Sequence, residues 1–300
     1  MKLNNDTLIF KGSTPWNGKI FRGTTLIWPT VPPRDYSTEY FTLEVIDTGN
    51  TGEFNFSSRG AILDSAEFSV NEGAWKYFVS ASTVEKTVSL GDTVRVRCVA
   101  DSLTYSNILI YSARVGITGA KYKVYGNIMS LLYGSDFSGK TSFQAGSKYH
   151  LARIFNEDTY IVDAKNLILP ATTLADNCYR QMFQGATSLV NGPEILPATT
   201  LAKECYSNMF GGCASLVKAP ILPAATLVDS CYAEMFYNCP NLNYVKCLAT
   251  DISANSCTSL WLARFIGSVL GTFVKHLSMN SWTISDSGIP SGWTVQDAVL

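Results

Sequence analysis

Four cysteines, Cys178, Cys205, Cys231 and Cys257, recur at the same point of a repeated motif. The first lies in the stretch CYRQMFQGATSL, beside a tyrosine and a methionine. A thiol so placed could serve as nucleophile, metal ligand or disulfide partner. Of the eight cysteines, seven fall between residues 178 and 257. Cys213 and Cys239 share a second position, where the first full repeat has Ala186, and His150 stands at the first cysteine position in a worn leading copy. No CxxC pair occurs, and His150 with Cys178 would leave a zinc site two ligands short. Cysteine is also a small, often fully buried apolar residue, and a buried thiol column is the favoured reading. Alanine at position 186 fills such a column but neither ligates nor crosslinks. Disulfides between neighbouring repeats are the alternative, where the Cβ atoms face each other.

Other chemistry is sparse. His150 and His276 are the only histidines, and no GxSxG, HExxH or GxGxxG occurs. GSDFSGKT puts Gly134, Gly139, Lys140 and Thr141 at phosphate-loop spacing, but that loop needs a buried strand before it and a helix after it, and neither is expected here. Acid pairs such as Asp47 with Glu53, or Glu157 with Asp163, cannot be assigned a glycosidase role from sequence, because carboxylate separation is three-dimensional. No catalytic residue, metal ligand or cofactor is expected.

The elements that carry these residues fall into four segments. Residues 1–33 hold an echo, IFKG at Ile9–Gly12 and IFRG at Ile20–Gly23, around the turn-rich STPWN. They read as one or two β-hairpins forming an attachment segment, with Trp16 and Trp28 as docking anchors, closed by the Pro-rich PTVPPRD. Residues 34–125 alternate with period two, as in TVRVRCVA, between turn signals about ten residues apart. This is the rhythm of an antiparallel, immunoglobulin-like β-sandwich, in which Trp75, Tyr77 and Phe78 are expected to pack the core.

Residues 126–262 repeat. Units start at Leu169, Leu196 and Leu222, a worn copy starts at Leu248, and another precedes them from Tyr149. A single unit cannot bury its own apolar side, but stacked units bury a continuous core in columns. The columns are Leu174, Leu201 and Leu227; Phe155, Phe183, Phe210 and Phe236, continued by Leu262; and Leu189, Leu216 and Leu242. In TLADNCYRQMF the apolar Leu174, Cys178, Met182 and Phe183 have offsets of four, eight and nine, which fit one helical face. Each unit is therefore expected to be a short strand, a turn and a short helical segment. Residues 263–300 form a C-terminal cap.

The repeat resembles the BspA-like leucine-rich repeat family, in the form found in surface proteins and phage-associated proteins of gut bacteria. The likeness covers roughly Gly126 to Trp261. YGNIMSLLYG resembles the lead-in that precedes such arrays, and GTFVKHLSMNSWTISDSGIPSGWTVQDA the segment that follows them. The resemblance implies a right-handed solenoid used for adhesion or recognition, and it brings no catalytic residues. The expected fold is thus a mixed β and α/β solenoid behind an N-terminal sandwich.

Residues that vary between constant columns are the candidate contacts. One column on the extended segment reads Asn191, Lys218, Tyr244. A second reads Pro193, Pro220, Lys246, with Glu194 as the extra residue of the longer first repeat. A merely solvated face would vary in the same way.

Composition narrows the class. Charged residues make up 16% of the chain and the net charge is −1. Such a low charge suits extracellular and virion proteins, and without a basic cluster nucleic acid is not an expected partner. No secretory signal is visible, and LWLARFIGSVLGTFV is too short and interrupted to span a membrane. The expectation is a soluble, non-enzymatic recognition or structural protein, virion- or prophage-associated. It would present its repeats to a protein or glycan on a cell surface, or to other virion proteins. The alternatives are a secreted bacterial surface adhesin and an accessory module of a carbohydrate-active enzyme.

Overall fold

The structure, a computed structural model, describes residues 10–11, 14–15, 20–22, 25–28, 35–57, 66–78, 86–99, 114–143, 148–263 and 270–299. It is mostly β-sheet, and the four-residue α1 (Ser130–Tyr133) is the only α-helix among the described residues. Two compact units divide the chain, Met1–Asp35 and Tyr36–Leu300. In the first, each half of the echo opens a two-stranded antiparallel hairpin. β1 (Phe10–Lys11) pairs with β2 (Thr14–Pro15), and β3 (Ile20–Arg22) with β4 (Thr25–Trp28). Trp16 and the side chain of Trp28 lie outside the described residues.

The second unit begins with β5 (Thr42–Val45), β6 (Gly52–Ser57), β7 (Ala66–Val70), β8 (Lys76–Tyr77), β9 (Lys86–Val88), β10 (Thr93–Cys98), β11 (Arg114–Thr118) and β12 (Tyr122–Asn127). Their antiparallel order is β12-β5-β10-β7-β8 in one sheet and β11-β6-β9 in another. Alternation sorts the faces. In β10, Val94, Val96 and Cys98 are buried, while Arg95 and Arg97 point outward. Rings from both sheets meet inside, with Phe54 5.6 Å from Phe68 and Phe56 4.6 Å from Phe78. Of the aromatics expected in this core only Phe78 is fully buried. Tyr77 is 60% exposed on a two-residue edge strand. Trp75 is half-buried and lies on the outer face, where the Arg97 guanidinium stacks 4.0 Å from its ring.

No linker follows. β12 pairs in parallel with β13 (Ile161–Ile168), from Tyr122 opposite Ile161 to Asn127 opposite Ile168. Gly126 permits the join. It has φ +84°, and a Cβ there would collide with the Tyr40 carbonyl oxygen, so only glycine fits. Parallel bridges then run Asp163–Asn191–Lys218 and on through β14 (Lys218–Leu222), β15 (Tyr244–Cys247), β16 (Thr272–Lys275) and β17 (Thr294–Asp297). Antiparallel and parallel strands thus form one laterally hydrogen-bonded surface, and Tyr36–Leu300 forms one compact unit across the composition shifts near residues 125 and 262.

The segment expected to be helical is not a helix. From Ala175 to Ala186 the chain makes consecutive tight turns in which alternate N–H groups go to different places. Cys178 N donates to Ala175 O and Arg180 N to Asn177 O, within the unit. Tyr179 N donates to Cys205 O and Gln181 N to Ser207 O, in the next unit. The turns place Asn177 (φ 59°), Gln181 (57°) and Gly185 (73°) in the left-handed region, four residues apart, and Glu204, Asn208 and Gly212 repeat this one unit on. Non-glycine residues pay roughly 1–2 kcal/mol for that conformation, which the bonds to the neighbouring unit offset. A four-residue turn period and a 3.6-residue helix bury nearly the same positions over two turns, and this is why the offsets of four, eight and nine mimic a helix.

Inside, the columns stack. Phe155, Phe183, Phe210 and Phe236 follow one another at 5.1, 5.3 and 5.6 Å with rings within 13° of parallel. Tyr179, Tyr206, Tyr232 and Trp261 form a second column at 5.6 to 6.2 Å, and Trp282 stacks on Trp261 at 5.4 Å. Each buried ring contributes about 1.5–3 kcal/mol. The Trp261 indole N–H donates to the Gly288 carbonyl at 2.8 Å, so the C-terminal segment covers the last unit.

Candidate functional site

The repeat thiols are packed inside the stack rather than exposed at a surface. All eight cysteines are free and buried. Burial holds the Cys178 and Cys205 thiols far above their ordinary range and pushes Cys231, Cys239 and Cys247 up to about 12. A thiolate is needed for nucleophilic attack, and burial disfavours that form at these positions. Cys213 Sγ donates to Phe183 O at 3.1 Å and Cys239 Sγ to Phe210 O at 3.0 Å, so the second cysteine column ties each unit to the one before. His150 is buried at the head of the first column and stacks on Phe143 at 5.2 Å, and burial lowers its pKa to about 4.

The other chemical candidates disperse. Gly134 follows the one-turn α1, and no helix follows Thr141 among the described residues. Lys140 instead sits 5.3 Å from the Tyr133 ring. Asp47 accepts from the backbone N–H groups of Lys121 and Gly49, which hold its carboxyl below the usual range, while Glu53 accepts from Thr87. Glu157 pairs with Arg114 at 3.3 Å, and Asp163 accepts from Lys165 N. His276 bonds Ser278 near the surface.

The strand side of the stack does gather the variable residues. Asp163, Asn191, Lys218, Tyr244, Thr272 and Thr294 lie in lateral register, Asn191 through isolated bridges and the other five one per strand. A groove of about 340 Å³ opens there, lined by Lys165, Asn191, Gly192, Pro193, Glu194, Lys218, Ala219 and Ile221. Asn191 Nδ2 donates to Asp163 Oδ2 at 3.1 Å, leaving its carbonyl oxygen as an acceptor, and Lys165 pairs with Glu194 at 3.3 Å. The Lys218 ammonium lies 5.0 Å from the Tyr244 ring centre. Gly192 forms part of the floor because a Cβ there would press to 3.0 Å on the Phe210 ring.

Of the five candidate contacts, the groove therefore joins Asn191, Glu194 and Lys218. Tyr244 adjoins through Lys218, and Lys246 lies outside the lining. The second column also differs from the sequence alignment. Lys246 is opposite Ile221 rather than Pro220, because the register shifts between Lys218 and Ile221, where proline has no N–H to keep the ladder. Pro193 and Pro220 are buried rather than solvated. Sequence reasoning missed Asp163 and Lys165, which belong to the worn leading copy. Counting 28 residues back from Asn191, the same distance that separates His150 from Cys178, points to Asp163. A scan against protein-family models and searches of curated proteins and solved structures returned no significant match.

Proposed function

We propose that this chain is a non-enzymatic recognition or structural protein, associated with a phage virion or prophage. An immunoglobulin-like sandwich would mount a BspA-like leucine-rich repeat solenoid, and the solenoid would present its strand face to a protein or glycan. The observation that carries this reading is the groove. Residues picked out as variable between constant columns, Asn191, Glu194 and Lys218, line one groove of mixed polar and apolar character, as expected of a ligand site fixed on a rigid scaffold. Low charge, the period of 26 to 28 residues between units and the stacked columns agree with such a scaffold. A secreted bacterial surface adhesin would use the same face, and tail and capsid genes beside the coding sequence, as against a lipoprotein or sorting signal, separate the two. A binding screen of the intact chain against glycans and host cells is the direct test. Binding that is lost with Asn191→Ala or Lys218→Ala supports the reading, and an absence of binding to any glycan, protein or cell ends it.

A further inference from the structure

We infer that the strand face binds a linear acidic glycan laid across the strands, along the stack, with its carboxylates on Lys218 and Lys246. The inference rests on the recognition reading above and names its ligand class. Three features of the face carry it.

The first is charge. Both carboxylates of the groove region are engaged, Glu194 by Lys165 and Asp163 by Asn191 and the Lys165 N–H. Lys218 and Lys246, on adjacent strands, have no carboxylate at ion-pair distance among the described residues. Lys246 shares the outward face of β15 with Tyr244, because Val245 and Cys247 point into the core. The donors to Asp163 are neutral and do not cancel its charge. Lys165, Lys218 and Lys246 thus stand against Asp163 and Glu194 and leave a small positive excess on the face, while the chain as a whole carries −1, which favours an anionic ligand.

The second is chemistry. The Asn191 carbonyl oxygen and the Glu194 carboxylate accept hydrogen bonds from hydroxyl groups, and the Tyr244 ring offers a flat apolar surface of the kind on which a sugar ring rests.

The third is direction. Neighbouring strands lie about 4.8 Å apart, comparable to one sugar ring in an extended chain. A linear glycan running along the stack would meet one column residue per ring, from Asn191 through Lys218 to Tyr244, with Lys246 flanking that path two residues further along β15. A polymer lying along a single strand would meet residues of one unit only.

The test is titration of the full chain with linear uronic-acid oligosaccharides of two and six units, each beside its uncharged methyl ester. The acidic hexamer should bind about tenfold or more tighter than the acidic dimer and than the esterified hexamer, and the gap should shrink in high salt. Lys218→Ala and Lys246→Ala should each weaken the acidic hexamer by about tenfold, and Lys76→Ala on β8 should not. Equal binding of the ester, equal binding of the dimer, or indifference to both lysine changes would overturn the inference. Tight binding of a poly-glutamate peptide without any oligosaccharide assigns the face to a protein and overturns it as well. If the chain binds cells or proteins but no acidic glycan, this inference fails and the recognition reading stands. If it binds nothing, both fail.

Discussion

Cys213 Sγ and the Phe183 carbonyl oxygen are 3.1 Å apart, across the boundary between two units. The thiol is thus both filler and crosslink by hydrogen bond, and it spares the carbonyl's second lone pair from being buried without a donor. Sulfur is a weak donor, so the contact is worth little by itself. Cys213→Ala recreates the residue that nature places at Ala186, and Cys178→Ala likewise removes one buried sulfur. Each should cost about 1 kcal/mol or somewhat more and leave ligand binding intact, as read by denaturant unfolding and a binding assay. Abolished binding in Cys178→Ala, or stoichiometric metal in the wild type by elemental analysis, would refute the structural role.

The ring column is a larger contributor. Phe210 is fully buried between Phe183 at 5.3 Å and Phe236 at 5.6 Å. Phe210→Ala should cost about 3–5 kcal/mol, several times the cysteine substitutions, in the same unfolding experiment. A loss below that of Cys213→Ala would mean that the stack does not organise the core.

Thiol labelling reads burial directly. With all eight cysteines buried and thiol pKa values raised by burial, a colorimetric thiol reagent at pH 8 should label the native chain slowly, and all eight sites quickly in denaturant. Rapid native labelling of several sites would contradict the packing.

His150 makes stability depend on pH. Its folded pKa is lowered to about 4 by burial, against 6.5 for the free side chain. The unfolded chain therefore binds the proton first, and stability is lost as pH falls from about 6.5 to 4, by up to about 3 kcal/mol. Asp158, partly buried and bonded by the Tyr122 hydroxyl, is shifted upward by desolvation and acts in the opposite direction. Comparing wild type with His150→Cys, the residue the other units carry, isolates the histidine. The variant should show a flatter pH dependence in this window, and identical slopes would exclude the effect.

Gly126→Ala tests the join between antiparallel and parallel strands. The positive φ and the Tyr40 carbonyl together should make it cost more than 1 kcal/mol. An unchanged melting temperature would show that β12 can shift aside.

Much of this was legible in the sequence because repetition makes the same physical demand several times. The leucine, cysteine and phenylalanine columns could be read by alignment, and so could three of the groove residues, because a solvated position varies where a buried one cannot. The turn ladder was not legible. Its apolar spacing coincides with that of a helix, and only the N–H partners distinguish them. Those partners lie 25 to 27 residues away, at Cys205 O for Tyr179 and at Cys231 O for Tyr206. Lys246 was misaligned for a related reason, since a one-residue register shift beside Pro220 leaves no trace in composition.

The sequence alone determined which side chains are buried in columns, because burial of apolar surface is local to each residue's chemistry and repeats with the unit. Tertiary structure decided the rest. The backbone between columns has a choice between bonding itself and bonding its neighbour. Only when another unit lies alongside does the second choice repay the left-handed strain at Asn177 and Gln181. The same lateral pairing runs β12 into β13, draws Asp163 and Lys165 to the groove, and sets Lys218 above Tyr244.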